Sequence, residues 1–392
     1  QWELGPPGAK ALPTFLVSHL PRSMSPEFPW AVTTDLQRLI LEGKDRRLCR
    51  WDLATGKPEG RAPEVGHLDR VYCVRFLPDG RRLASGSGDH TIRFWEPAKG
   101  KFVEQATLQH GGAVFDLAFA PRTHLMVSSG FTPTRVRLWD LTAQPPRERD
   151  NLSPLPNAHA WGSTFSPAGT TLYIGTGLEV QEDGSKKEET SEDAIHVWDV
   201  SGATAKKKAV LQEEKGAVIG LTVSPDGKWL ASAGGRFVYN RGVPEKPATS
   251  VHLRLWDITA TEPKEITRLP PHTKVVYSVA FAPNGKLLAS ASRDYTVRLW
   301  DVSGKEPSEL GVLKRHEESV FSVAFAPDGK TLASCGADGR IILWDVAGKA
   351  VQREWILPGL VNRVAFAPDG RHLASANENG TVYIFRLAPP PK

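Results

Sequence analysis

The chain has 392 residues, with 49 lysines and arginines against 44 aspartates and glutamates and a formal net charge of +5. So small and dispersed a surplus argues against a nucleic-acid groove, which concentrates basic residues on one face, and no apolar run approaches the roughly 18 residues a membrane helix needs. The cysteines, Cys49, Cys73 and Cys335, fall singly in apolar strand-like runs without metal-ligand spacing, which fits a reducing, cytoplasmic setting better than a secreted disulfide scaffold.

Strand signal recurs along the whole chain and no long helical period appears, so the expected class is all-β. Residues 1–11 begin at Gln1 and include Leu4-Gly5-Pro6-Pro7-Gly8, a composition suited to a linker or leader. Thr14 to Val17 reads as a lone strand. Residues 30–52 then align without a gap on residues 323–345, although Leu36 replaces a turn glycine and Leu41 a strand serine. Further copies of the unit follow at 66–101, 109–144, 157–203, 213–261, 271–305, 315–349 and 360–387, before a proline-rich tail at 389–392.

The unit is clearest at 315–349. Ser319 to Phe325, Thr331 to Cys335 and Arg340 to Val346 are runs of β-branched and aromatic residues. Pro327-Asp328-Gly329 separates the first two, where proline pre-sets φ and glycine supplies φ > 0. Asp338-Gly339 separates the second and third, a strong short hairpin signal. A meander this small cannot bury its own apolar face and must stack on copies of itself. Trp344 recurs as Trp51, Trp95, Trp139, Trp198, Trp256 and Trp300, with Phe385 in the last copy, at intervals of 44, 44, 59, 58, 44, 44 and 41 residues.

A period in the mid-forties closed by Trp-Asp resembles the WD-repeat family, whose repeats supply the four-stranded antiparallel blades of a closed β-propeller. The residues that carry the resemblance are Trp51-Asp52, Trp139-Asp140, Trp198-Asp199, Trp256-Asp257, Trp300-Asp301 and Trp344-Asp345, with Gly66-His67, His110, His272 and His316 opening copies. The consensus repeats look like those of bacterial members, which are often fused to signalling domains. The expectation is one propeller over 12–388 with eight blades, closed by the strand near Phe15 pairing with Thr381 to Leu387. Seven blades, the commoner number in the family, is the alternative.

The resemblance also implies an internal tie in three copies: His67, Ser85, Asp89 and Trp95; His272, Ser290, Asp294 and Trp300; and His316, Ser334, Asp338 and Trp344. A Ser-His-Asp set can be read as catalytic. Its recurrence favours a structural role, since an enzyme needs one such site. Other copies depart from the pattern: 109–144 has Thr132-Pro133 at the aspartate, and 360–387 has Asn379 and Phe385 for Asp and Trp. No phosphate loop, nucleophile elbow or metal-like histidine cluster stands out, so neither catalysis, a cofactor nor a metal is expected.

The long intervals carry insertions between second and third strands, acidic at 178–194 and basic at 236–250, which the resemblance puts on the narrow top face. Solvated loop extensions are the competing reading. The residue four before the conserved first-strand apolar position gives Phe28, Tyr72, Phe115, Trp161, Ile219, Tyr277, Phe321 and Asn362. In the family this position often borders the channel mouth and contacts partners, and six of the eight are aromatic. Arg293, Arg236 and Tyr239 join this candidate face. The competing reading is that the rings fill gaps between blades. The resulting expectation is a non-catalytic scaffold, monomeric and part of a larger chain, binding a protein or peptide; an enzyme with a small-molecule site in the channel is the alternative, and a nucleic-acid binder a weaker one.

Overall fold

A computed structural model describes residues 66–98, 102–130, 136–152, 159–177, 193–212, 216–235, 251–260, 262–270, 272–304 and 306–387, and the backbone of Lys101 and of further strands within 30–61, at 180–181 and at 238–239. It divides into two compact units, residues 1–68 and 69–392. In the first, Trp30–Val32, Arg38–Glu42, Leu48–Asp52 and Lys57–Arg61 form one antiparallel sheet in sequence order.

The second unit is a propeller of seven blades. From the channel outward, blade 1 comprises Val71–Phe76, Leu83–Ser87, Thr91–Ala98 and Lys101–Gln109. Blades 2 to 6 span 114–151, 159–212, 217–268, 276–314 and 320–356, each with the same antiparallel order. Blade 7 has three strands among the described residues, Val361–Phe366, His372–Asn377 and Val382–Arg386.

The expected eighth blade is therefore corrected to seven. The copy at 30–52 does form a blade-like sheet, but the ring closes without it. Val71, Val74, Leu83 and Trp95 of blade 1 share one apolar cluster with Ala365, Ala374 and Ala376 of blade 7. A continuous core across that junction leaves no slot for another blade. The strand expected near Phe15 lies outside the described residues.

Packing follows from the sequence. Second strands are flanked by neighbouring blades on both faces, so they read as continuous small or apolar runs and are buried throughout, as at Leu83–Ser87. Each core sits between blades: Ala289, Val297 and Leu299 of blade 5 pack with Val320, Val323, Leu332 and Trp344 of blade 6. The Pro-Asp-Gly turns at the far end from the hairpins close tightly. In blade 6 Asp328 accepts the backbone N–H groups of Lys330 and Thr331 at 2.8 and 3.0 Å, and Gly329 holds φ at +67°.

A second repeated tie was not read from the sequence. Two residues before the tryptophan, Arg93, Arg137, Arg254 and Arg298 reach Glu104, Glu148, Glu265 and Glu309 on the outer strands at 2.6 to 3.0 Å. The spacing is 11 residues each time.

Candidate functional site

In all seven blades the pairing of first and second strands steps over one residue. The skipped residues are Tyr72, Phe115, Trp161, Ile219, Tyr277, Phe321 and Asn362. A bulge leaves its extra residue out of the ladder and re-aims the side chain. The result is a set of large side chains gathered at one mouth of the channel. Tyr72 and Phe115 have ring centroids 4.4 Å apart, Phe115 and Trp161 5.5 Å, and Tyr277 and Phe321 5.4 Å. Ile219, 9% exposed, joins the two groups, since Trp161 and Tyr277 both pack against its cluster.

These six form an apolar arc over six blades, and all but Ile219 are half-buried. Such rings pack on one side and keep area available on the other. The arc stops at blade 7, where Asn362 Nδ2 donates to the Val71 carbonyl at 2.9 Å and so ties blade 7 to blade 1. Arg293 is half-buried beside the arc, its backbone N–H bonded to the Val275 carbonyl at 2.9 Å. Phe28 and Arg236 lie outside the described residues, and of Tyr239 only the backbone is described. The two insertions meet in a short parallel pairing, Val180 with Val238 and Gln181 with Tyr239.

Tyr295 was missed from sequence. It is 43% exposed and occupies the hairpin position that Gly339 fills in blade 6. Its φ is +72°, close to the +70° of Gly339, a left-handed conformation that is uncommon for a bulky residue. Lys274 Nζ lies 5.5 Å from the ring centroid. The signal was present, because Asp294-Tyr295 aligns with Asp338-Gly339.

The residues singled out as internal ties have buried side chains within the blades. His272 Nδ1 meets Asp294 at 2.9 Å and its Nε2 meets Ser290 Oγ at 2.8 Å, while Trp300 donates to the same hydroxyl at 3.0 Å. His316, Asp338, Ser334 and Trp344 repeat this at 2.9, 2.8 and 2.8 Å. Burial raises the Asp294 carboxyl, but the hydrogen bond and charge of His272, with Thr296 and Thr273, hold it well below the usual range; Asp338 is lowered in the same way by His316. In blade 1 Trp95 donates to Ser85 at 2.8 Å and Asp89 accepts from Thr91, and His67 is buried.

Below the arc, Asp116 projects into the channel from blade 2. Its Oδ2 accepts from the backbone N–H and hydroxyl of Ser163 at 2.8 and 3.1 Å. Its Oδ1 is shared by Arg75 and Arg363 at 3.3 and 3.2 Å. Burial lowers the Arg75 guanidinium from its usual value, Asp116 pulls it back up, and Arg363 lowers it further. Among the described residues no group of three or more His, Cys, Asp or Glu is placed to hold a metal ion.

The WD domain, G-beta repeat family matches residues 62–96, 205–239, 263–301, 307–345 and 354–386. Periodic tryptophan protein 2 of Arabidopsis thaliana is 28% identical over 73% of this chain and 28% of its own length. The transcriptional corepressor LEUNIG_HOMOLOG of the same plant is 25% identical over 72% of this chain and 36% of its own. The serine-threonine kinase receptor-associated protein of Gallus gallus is 43% identical over 16% of this chain and 17% of its own. The chain thus spans well under half of each of these relatives.

Proposed function

Because the chain belongs to the WD-repeat family and its ring has seven blades, we propose that it is a non-catalytic scaffold whose bulged arc docks a protein or peptide. The arc carries the reading: six large apolar side chains from six blades converge on one face, five of them half-exposed. Clustered aromatics at the centre of a face are the usual composition of binding hot spots. Two relatives' names describe a corepressor and a receptor-associated protein, roles that fit a molecule working through contact. The buried Ser-His-Asp ties recur in two blades beside a tryptophan, which favours bracing over catalysis. The buried thiols Cys73 and Cys335 accord with a reducing, cytoplasmic setting.

The test is to select peptides from a random display library on the wild-type propeller and measure their affinity for a variant with Tyr72→Ala, Trp161→Ala and Tyr277→Ala. Loss of binding by a folded variant supports the arc. Peptides that bind the variant equally well move the site to the blade sides or to the Pro-Asp-Gly turns.

A further inference from the structure

The channel below the arc encloses a cavity of about 700 Å³, running from Ile219 at the mouth to Pro78, Pro121 and Pro167 at the turns. That volume lies within the range of small-molecule sites, about 300 to 1,000 Å³. Its wall is uneven. On blades 3 to 6 the residues that follow the bulges are small, Gly162, Gly220, Ser278 and Ser322, and larger apolar side chains such as Leu221, Phe281 and Phe325 line the channel beyond them. At Gly162 this is obligatory, since a Cβ there would lie 2.2 Å from the Ile219 carbonyl oxygen. The charged groups lining the cavity are Arg75, Asp116 and Arg363, all on the side formed by blades 7, 1 and 2.

Two guanidiniums thus face one carboxylate, and that carboxylate is already engaged. One oxygen serves Ser163, and the other is divided between the two arginines at contacts longer than the 2.7–2.9 Å usual for charged pairs. Neither arginine has a two-pronged partner. One positive charge stays uncompensated at the channel wall, where an added anion would relieve the repulsion between the guanidiniums as well as accept their remaining N–H groups. We infer that the channel binds a small oxyanion, a carboxylate or phosphate group held between Arg75 and Arg363. The small residues of the opposite wall leave room for whatever the anion is attached to.

Inorganic phosphate and malonate are the probes, titrated calorimetrically into the protein at matched ionic strength with chloride as reference. Saturable binding with a rise in melting temperature is expected from at least one of them; the one that binds assigns phosphate or carboxylate as the preferred head group. Arg75→Gln and Arg363→Gln should each weaken binding roughly tenfold or more, the loss of a charge-assisted contact. Arg363→Lys should keep part of the affinity, and Asp116→Asn should tighten binding by removing the competing negative charge. Asp116→Asn also decides the matter should the glutamine variants fail to fold. Absence of saturable binding by both anions overturns the inference, as does a folded Arg363→Gln or Asp116→Asn variant that binds like wild type. The triple alanine variant of the arc should still take up the anion, so this site and the docking face can fail independently.

Discussion

Trp300 donates its indole N–H to Ser290 at 3.0 Å, whereas Trp198, at the matching place in blade 3, has Ile174 where that serine would stand and no acceptor for its N–H. The same tryptophan is therefore held by packing and a hydrogen bond in one blade and by packing alone in another. Replacing both with phenylalanine separates the two contributions. Trp300→Phe leaves the Ser290 hydroxyl short of a donor and should cost about 1–2 kcal/mol more than Trp198→Phe, which removes a stranded polar group. Asp294→Ala, which strips the buried His272 of its partner, should cost about 2–4 kcal/mol. Urea midpoints at neutral pH measure all three, and equal losses for the two tryptophan variants would falsify the hydrogen-bond assignment.

Acid should destabilise the propeller in two separate windows. Burial, with the charges of Arg254 and Arg268, pulls His252 down from 6.5 to about 3; burial, with Lys207, takes His196 to about 4. Both stay neutral in the fold while the unfolded chain takes up protons below about pH 6.5. Stability is therefore intact above that value and falls as pH drops toward 4, by up to about 1.4 kcal/mol per pH unit for each histidine. Asp294 and Asp338 act lower down. Their carboxyls are depressed from 3.8 in the fold, so their contribution is present above that value and disappears as pH falls below it. A His196→Leu, His252→Leu variant should flatten unfolding free energy between pH 6.5 and 4 while keeping the loss below 4. An unchanged slope in the upper window would assign that loss to other groups.

The strained, exposed Tyr295 is a test of whether stability is given up for recognition at the proposed docking face. Tyr295→Gly removes a backbone conformation costing about 1–2 kcal/mol for a side-chain-bearing residue. The greater freedom of glycine in the unfolded chain returns about 0.5–1 kcal/mol of that. The variant should be at least as stable as wild type, by thermal melting, and weaker in binding peptides selected on the docking face. Lower stability together with unchanged binding would make Tyr295 an ordinary turn residue.

The ring of bulged residues could be read from sequence because the repeat places one residue at a fixed distance before a conserved apolar position, and the bulge there is a property of the repeat. The blade count could not. Residues 30–52 carry the strand and turn pattern of a blade, and nothing local distinguishes a sheet inside the ring from one outside it. Membership is decided by the fit of Val71, Leu83 and Trp95 against Ala365 and Ala374, contacts between positions nearly 300 residues apart. The Arg75–Asp116–Arg363 cluster was hidden for the same reason: its members come from three blades, and each alone looks like a solvated charge at a strand position. The missed Arg-Glu ties were legible, as a spacing of 11 residues repeated four times.

The arc and the insertions should affect binding through different rate constants. On the proposed docking mode, contacts to Tyr72, Phe115, Trp161, Tyr277 and Phe321 form only once the partner is seated, and truncation at a hot spot costs about 2 kcal/mol or more. That loss should appear in dissociation, so Tyr277→Ala should release a selected peptide about 30-fold faster with little change in association. The insertions carry charge of opposite sign, Glu179, Glu182, Asp183, Glu188 and Glu189 on one and Arg236, Arg241 and Lys246 on the other. Charge at the rim steers encounter and is screened by salt. Deleting 179–193 should therefore alter the salt dependence of association and leave dissociation close to wild type. Surface plasmon resonance at two ionic strengths reads both constants. A deletion that accelerates dissociation as much as Tyr277→Ala does would make the insertion part of the anchor and place the centre of the interface over blades 3 and 4.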